Sequence, residues 1–274
     1  MKIRIVLITM LAVSACFAAA QQTRLEEMHD KTVLVFTPHP DDEVFGVGGT
    51  IALLNRHHNK VIVAIYTNDD KGSQDPEMTR ERLAAIRKHE EEESEAVLGT
   101  PKENIIWLGY EDGMLEYAPQ PHLVEQATEI IRRVRPDVLL SIDPGEWYVR
   151  WHKTDHRMAA MNTLDAVRAA EFALYFPNQR LELGLQPYRV PEMYFFYAAE
   201  KEANYSVAID EVMDLKVKAA TAQVSQFSPA EDHYRPDWDA KDLHETEAHL
   251  RGLQTSKDGH YVETFRYATE FNQK

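Results

Sequence analysis

The sequence predicts an α/β fold in which helices cover both faces of a mostly parallel sheet. Two short runs, 32–36 and 61–66, are continuously apolar and rich in β-branched residues. Such runs are typical of strands that are buried on both faces. Helical patterns alternate with further strand candidates along the chain, which favours parallel strands joined by helices.

The predicted elements follow one another in a regular order. A helical run starts at Thr50, between the first two strands. Further strands are expected at 104–108, 137–142, 192–198 and 205–209, and helices at about 77–98, 121–135, 156–172, 210–226 and 239–250. This order predicts a Rossmann-like three-layer sandwich, in which ligands bind beyond the carboxyl ends of the strands.

The first twenty residues have the layout of a secretory signal peptide. Lys2 and Arg4 are basic, 5–17 is apolar, and 18–20 offers three alanines as a cleavage site. The apolar run is too short to cross a bilayer, and no comparable run follows, so no transmembrane span is expected. We therefore expect export to the periplasm or the exterior, with residues 21–274 forming a single domain.

Cys16, the only cysteine, leaves two fates open for the amino terminus. The residues at 13–15 resemble a bacterial lipobox, so cleavage before Cys16 would leave a lipid anchor. Cleavage after Ala20 would leave a free protein that cannot form a disulfide. We favour the free form, because the alanine site is good and Val13 is a second-choice lipobox residue.

The charge of the chain argues against one class of partner. Thirty basic residues face 45 acidic residues, which gives a formal net charge of -15. Removal of Lys2 and Arg4 with the signal peptide would make the charge more negative still. Such a protein repels a phosphate backbone, so nucleic acid is not an expected partner.

The loop after the first strand carries the string His39-Pro40-Asp41-Asp42-Glu43. A dinucleotide-binding fold would place a glycine-rich phosphate loop here, whereas three carboxylates would repel phosphate. Imidazole and carboxylate together are ligands of hydrolytic zinc sites, which need three protein ligands and an exchangeable water. The alternative is an acidic turn in which an aspartate caps the next helix.

A second cluster, His152-Lys153-Thr154-Asp155-His156, follows the fourth strand and opens a helix. Carboxyl ends of parallel strands meet at one edge of a sheet, so both clusters project from the same edge. Their shared position favours a divalent-metal site over a simple capping turn.

Together, the two clusters resemble the motifs of the LmbE-like or GlcNAc-phosphatidylinositol de-N-acetylase (PIG-L) family of zinc-dependent deacetylases. That family has a His-Pro-Asp-Asp-Glu loop after the first strand and a later His-x-Asp-His motif. The resemblance covers roughly 31–230, whereas the acidic and aromatic segment 231–261 matches no motif of the family. It implies hydrolysis of an N-acetyl or other N-acyl group on a small-molecule or oligosaccharide amino sugar.

The resemblance also implies a metal site and a catalytic group. His39, Asp42 and His156 would bind Zn2+, and Asp41 would act as general base toward the attacking water. An imidazolium would stabilise the developing oxyanion. The implied catalytic residues come from both motifs: Asp41, His152 and Asp155.

Three further residues are implied in substrate binding. Arg87 and Asp112 match positions that hold sugar hydroxyls, and Asp70 stands where relatives often carry glutamate. Carboxylates and guanidinium groups suit vicinal hydroxyls because their hydrogen bonds are directional. An equally weighted alternative for Arg87 is a helix salt bridge with Glu90 or Glu91.

The chain departs from the family pattern at two positions. Two residues, not one, separate His152 from Asp155, so Lys153 or a tyrosine is the alternative donor to the oxyanion. Gln223 stands where relatives often have histidine.

Two other functional classes remain open on the sequence alone. One is a zinc amidase acting on another N-acyl compound, and the other is a noncatalytic carbohydrate-binding protein that has kept the fold. Asp41 argues against the second, since binding alone needs no base beside a metal.

Overall fold

The computed structural model describes residues 24–145 and 154–269. Within these residues the strands are β1 (Thr32–Thr37), β2 (Lys60–Thr67), β3 (Ile105–Tyr110), β4 (Val138–Ile142), β5 (Glu192–Phe196), β6 (Tyr205–Ala208), β7 (Ser256–Lys257) and β8 (His260–Thr269). The helices are α1 (Asp42–Arg56), α2 (Arg80–Leu98), α3 (Gln120–Val134), α4 (Thr154–Glu171), α5 (Pro177–Leu181), α6 (Met213–Thr221) and α7 (Ala240–Leu253).

The strands form one sheet in the order β3-β2-β1-β4-β5-β8-β6, and β7 pairs with β8. Neighbours from β3 to β5 run parallel, and β8 runs antiparallel to its partners. The chain order reverses direction between β1 and β4, where the sheet leaves a crevice beyond the carboxyl ends of the strands. The α/β sandwich with a mostly parallel sheet is thus confirmed.

Alternation along the strands divides the core into two layers. Val33 and Val35 of β1 pack with α1 and α6 on one face, and Leu34 and Phe36 pack with α3 and α4 on the other. Successive side chains of a strand point to opposite faces, which explains why a central strand must be apolar throughout.

Helix α1 begins earlier than the sequence predicted, at Asp42 and not near Thr50. Gly46, Gly48 and Gly49 lie inside the helix. Gly49 is needed because a β-carbon there would lie 2.7 Å from the Cγ2 atom of Ile209. Close packing therefore overrides the low helix propensity of glycine.

The last strand predicted from the sequence is 205–209, so the carboxyl-terminal strand β8 was not predicted. Its interior residue Glu263 is buried and makes a salt bridge of 2.6 Å with Lys216 on α6. A charge at an interior strand position hides the apolar alternation that indicates a strand. The predicted strand 192–198 also ends early, at Phe196.

Several sequence predictions lie outside the described residues. They concern the signal peptide, Cys16, His152 and Lys153. In the part of the chain that the structure describes, none of the helices has the length and apolar character needed for a membrane span.

Candidate metal and catalytic site

The loop between β1 and α1 presents the first motif in an unusual backbone conformation. Asp41 has φ 102° and ψ -36°, a region that residues other than glycine rarely adopt. The helix starts at the next residue, and it is interrupted at Val47, where φ is -142°. Asp42 therefore sits in a short first turn that is separated from the main body of α1.

Three ligand-type side chains converge beyond the carboxyl ends of β1 and β4. The Nδ1 atom of His39 lies 3.1 Å from Oδ2 of Asp42, and Nε2 of His156 lies 3.1 Å from the same oxygen. One ligand atom from each residue lies within 4.8 Å of the others. Two imidazoles and one carboxylate are the donor set of a hydrolytic zinc site, so these residues fit the ion that the sequence implies.

Two carboxylates hold the other nitrogen of His39. Its Nε2 atom lies 3.1 Å from Oδ1 of Asp112 and 3.2 Å from Oδ2 of Asp155. A proton on Nε2 satisfies these acceptors and leaves Nδ1 available as a ligand. Carboxylate partners of this kind fix the ring and raise its basicity toward a metal.

Asp155, predicted among the catalytic residues, is completely buried. Its Oδ1 atom accepts a hydrogen bond of 3.0 Å from the Leu115 N–H, and its Oδ2 atom accepts one of 2.5 Å from the Gly113 N–H. Both oxygens of Asp155 are thus engaged by the protein, and Asp155 contacts the metal-ligand group through His39.

The electrostatics of the cluster favour a cation. Burial would lower the pKa of His39, but hydrogen bonds with Asp112, Asp155 and Asp42 raise it well above its ordinary value. Burial would raise the pKa of the Asp42 carboxyl, but the nearby His156 and His39 lower it strongly. Three carboxylates around two imidazoles leave excess negative charge, which a divalent cation would neutralise.

Asp41 lies next to these ligands, and its pKa is balanced near neutrality. Burial raises the pKa of this carboxyl to about 7, while the positive charge of Arg87 opposes the shift. Oδ2 of Asp41 accepts a hydrogen bond of 2.7 Å from Nη2 of Arg87. A carboxylate with a pKa near the working pH is suited to take up and return a proton.

The prediction that Arg87 holds sugar hydroxyls needs correction. Its side chain is 0% exposed. The guanidinium instead donates to Asp69 (2.6 Å), Glu90 (2.9 Å) and Gln223 (2.7 Å), as well as to Asp41. The alternative salt bridge with Glu90 is therefore present, and Arg87 positions Asp41 from beneath the site.

Asp70 and Asp112 also have protein partners. Oδ2 of Asp70 accepts from Arg80, with a shortest distance of 2.5 Å, and Oδ1 accepts from the Asp112 N–H at 3.2 Å. Both residues are buried. Asp112 lies at the metal cluster through His39, whereas Asp70 supports the loop that carries Asp112.

Three residues of the site were missed by sequence reasoning. Asp69, with φ 49°, and Tyr197, with φ 58°, follow β2 and β5 at the same edge of the sheet. Gln223 is buried, and its Nε2 atom donates to Oε2 of Glu91 at 3.0 Å. For Asp69 and Tyr197 the available signal was a place just after a strand, and for Gln223 it was the position where relatives often have histidine.

Known proteins share these features. The family model of GlcNAc-PI de-N-acetylase (PIG-L) matches residues 34–167. Diacetylchitobiose deacetylase of Thermococcus kodakarensis is 34% identical over 197 residues, which is 72% of this chain and 70% of that protein. A probable N-acetyl-alpha-D-glucosaminyl L-malate deacetylase 2 of Bacillus subtilis is 35% identical over 120 residues, which is 41% of this chain and 52% of that protein.

A solved structure agrees over a longer span. The N,N'-diacetylchitobiose deacetylase of Pyrococcus horikoshii, in complex with its inhibitor, superposes with a TM-score of 0.73. It is 31% identical, and the match covers 87% of this chain and 84% of that chain.

The fold and the site together define a metal-dependent α/β hydrolase, in which two histidines and one aspartate lie where they could hold a metal ion and a second aspartate lies beside them. The match with the relatives narrows this class. The chain belongs to the GlcNAc-PI de-N-acetylase (PIG-L) family, and it is a deacetylase that acts on an N-acetyl group.

Proposed function

We propose that this protein is an exported, zinc-dependent deacetylase that hydrolyses the acetamido group of an N-acetylated amino sugar. The convergence of His39, Asp42 and His156 next to Asp41 is the observation that carries the proposal. The names of the relatives support the substrate class, because they refer to diacetylchitobiose and to an N-acetylglucosaminyl compound.

When bound, zinc supplies Lewis acidity, which polarises the amide carbonyl and makes water acidic enough to lose a proton near neutral pH. Asp41 then accepts the proton of the water that attacks the carbonyl carbon. When the C–N bond breaks, Asp41 can return this proton to the leaving nitrogen, so the products are acetate and a free amine. His152 remains the predicted donor to the oxyanion.

Arg87 and Asp155 prepare the site without touching the substrate. The guanidinium of Arg87 holds the Asp41 carboxylate in one position while lowering its pKa. Asp155 contacts Nε2 of His39, the ring nitrogen that does not face Asp42, and so fixes the orientation of the ring. Such preorganisation removes motions that would otherwise accompany the proton transfer.

Metal analysis and a substrate screen test the proposal together. The purified protein should contain about one zinc per chain, and Asp42→Ala should lose most of it, because a three-ligand site is left with two. Acetate release should be measured with N-acetylglucosamine, diacetylchitobiose and an N-acetyl amino acid. Release from the amino acid alone would contradict the amino-sugar assignment, and full zinc in Asp42→Ala would remove Asp42 from the ligand set.

Export forms the second part of the proposal, and it rests on the signal-peptide pattern of 1–20. Cell fractionation should find the protein outside the cytoplasm, and deletion of 2–20 should retain it inside. Labelling with a radioactive fatty acid distinguishes the two fates of the amino terminus. Label that disappears in Cys16→Ala would establish a lipid anchor, whereas an unlabelled wild type would favour cleavage after Ala20.

A further inference from the structure

Tyr197 has a strained backbone at the edge of the sheet that carries the site. It follows the last residue of β5, and its φ is 58°. A bulky side chain is rare in this left-handed region, and such residues cluster at functional sites. The residue is also 38% exposed, unlike the three strand residues before it, so burial of its ring does not explain the conformation.

The side chain of Tyr197 reaches across to the first turn of α1. Its hydroxyl donates a hydrogen bond of 3.0 Å to the main-chain carbonyl of Asp42. Its ring packs edge-on against Phe196, with centroids 5.2 Å apart. A β-carbon on Gly46 would lie 2.6 Å from Cδ2 of Phe196 and 3.3 Å from Cε1 of Tyr197, so a glycine at this position leaves room for both rings.

This turn needs support from outside the helix. The break at Val47 separates it from the remainder of α1, and Asp41 provides no side-chain cap. A single helical turn is not stable by itself, because few hydrogen bonds offset its lost conformational freedom. Nη2 of Arg87 donates to the Pro40 carbonyl, at 2.5 Å. Tyr197 contacts the turn itself, through the carbonyl of Asp42.

We propose that Tyr197 is a positioning residue of the metal site, which fixes the main chain of Asp42 so that its carboxylate faces His39 and His156. The inference rests on the proposed function in one respect, that Asp42 binds the metal. Tyr197 itself is not a ligand, because its hydroxyl is engaged with a carbonyl oxygen. Its contribution is to hold the carboxylate of Asp42 in a fixed direction.

Tyr197→Phe removes the hydroxyl and keeps the ring, so it isolates this contribution. Loss of a group that orients a ligand typically weakens metal binding about 10- to 100-fold. We expect a decrease of that size in zinc affinity, measured on the purified protein by competition with a chromogenic chelator. At saturating zinc, most of the turnover should return, with the substrate KM unchanged.

Tyr188→Phe provides the matched control. The hydroxyl of Tyr188 also donates to a main-chain carbonyl, that of Pro136, at 2.8 Å, and this carbonyl precedes β4 at the opposite edge of the sheet. Each variant loses one tyrosine–carbonyl hydrogen bond, so general effects on stability are matched. Only Tyr197→Phe should change zinc affinity.

The outcomes separate this inference from the proposed function. Wild-type zinc affinity in Tyr197→Phe would overturn the positioning role and leave the proposed function intact. An equal loss in both variants would overturn it as well, because the effect would then be global. A wild-type protein that does not bind zinc would overturn the proposed function, and with it the role of Tyr197.

Discussion

Two groups of buried charged residues lie along helix α2, and they balance their charge in opposite ways. The arginine cluster consists of Arg87, Asp41, Asp69 and Glu90, and the carboxyl cluster consists of Glu43, Glu91 and Glu95. Every member of the carboxyl cluster is 0% exposed, as is Arg87. Asp41 is less deeply buried, with 16% of its side chain exposed, but the main difference between the two clusters is the presence of a cation.

In the arginine cluster, one guanidinium contacts three carboxylates at 2.6 to 2.9 Å. In the carboxyl cluster, no member makes a salt bridge within the described part of the chain. Burial, reinforced by mutual repulsion, raises the pKa of Glu43 well above its ordinary value and the pKa values of Glu91 and Glu95 to about 8.

The difference shows what a single guanidinium does in this interior. Burial alone favours the neutral acid, as in the carboxyl cluster. Beside Arg87, the positive charge of the guanidinium opposes the effect of burial. Asp41 therefore has a pKa of about 7 and can exchange a proton near neutral pH. The pKa of the proposed base therefore depends on a residue that is buried beneath it.

The largest effect is expected from removal of that guanidinium. Arg87→Gln leaves Asp41, Asp69 and Glu90 buried without a cation, and breaking such a network costs about 3–5 kcal/mol. The free energy of unfolding, measured with denaturant, should fall by this amount. Arg80→Gln is the control, because Arg80 pairs with Asp70 from the half-exposed surface and should change stability little. Equal losses in the two variants would contradict the comparison.

The next effect concerns the base itself. Asp41→Asn should keep its zinc but lose ~10²-fold or more in turnover, because an amide cannot accept the proton of the attacking water. Wild-type activity should decrease as the pH falls through the pKa of Asp41, since the carboxylate then becomes protonated. A metal-replete variant with normal kinetics would show that another group is the base, and Glu43 would be the first to test.

The fold was predictable where the signal is local. The interiors of β1 (33–36) and β2 (61–65) are apolar at every position because both faces are covered, and their sequences show this directly. Strand β8 was not predictable in the same way, because Glu263 and Arg266 interrupt its apolar residues. Their partners, Lys216 and Asp143, lie far away in sequence. Such an ion pair can be recognised only when the positions of both partners in the fold are known.

The residues of the candidate site were likewise predictable only where they lie in short local motifs. His39, Asp42 and His156 were predicted through the resemblance to the family, because each stands in one of two short motifs that the sequence displays directly. Arg87 was assigned to the substrate because it matches a family position, and its sequence neighbours do not reveal that its guanidinium contacts Asp41, 46 positions earlier. Tyr197 was interpreted as part of a buried strand, since φ cannot be read from an apolar run.

A smaller effect is expected in the carboxyl cluster, and it depends on pH. Glu95 has a folded pKa of about 8, against about 4.3 in an unfolded chain, so the folded state binds its proton more tightly. Stability from this group is present below pH 4.3 and is lost as the pH rises toward 8, by about 1.4 kcal/mol per unit. Glu95→Gln removes the loss, so at pH 8 it should stabilise the protein by at least ~1.4 kcal/mol.

Denaturant unfolding of wild type and Glu95→Gln at pH 5 and pH 8 checks this prediction. Glu93→Gln is the matched control on the same helix, because Glu93 is exposed and pairs with the surface residue His89. A difference between Glu95→Gln and wild type that is the same at both pH values would show that Glu95 does not carry the proton.

The smallest effect concerns Gln223, which joins the two clusters. Its Oε1 atom accepts from Arg87 and its Nε2 atom donates to Glu91, so one amide serves both. Gln223→Leu should cost only about 1 kcal/mol, because each partner loses a single hydrogen bond. Arg87 keeps its three carboxylates, and a protonated Glu91 needs no donor.

A double-mutant cycle of Gln223→Leu with Glu91→Gln tests whether Gln223 couples the arginine cluster to the carboxyl cluster. Residues that share a hydrogen bond give non-additive changes, whereas independent residues add within about 0.5 kcal/mol. If the amide supports an ionised Glu91, the coupling between the two changes should grow as the pH rises toward 8, where this carboxyl loses its proton. Additive changes at every pH would mean that the arginine cluster and the carboxyl cluster are separate, and that Gln223 serves Arg87 alone.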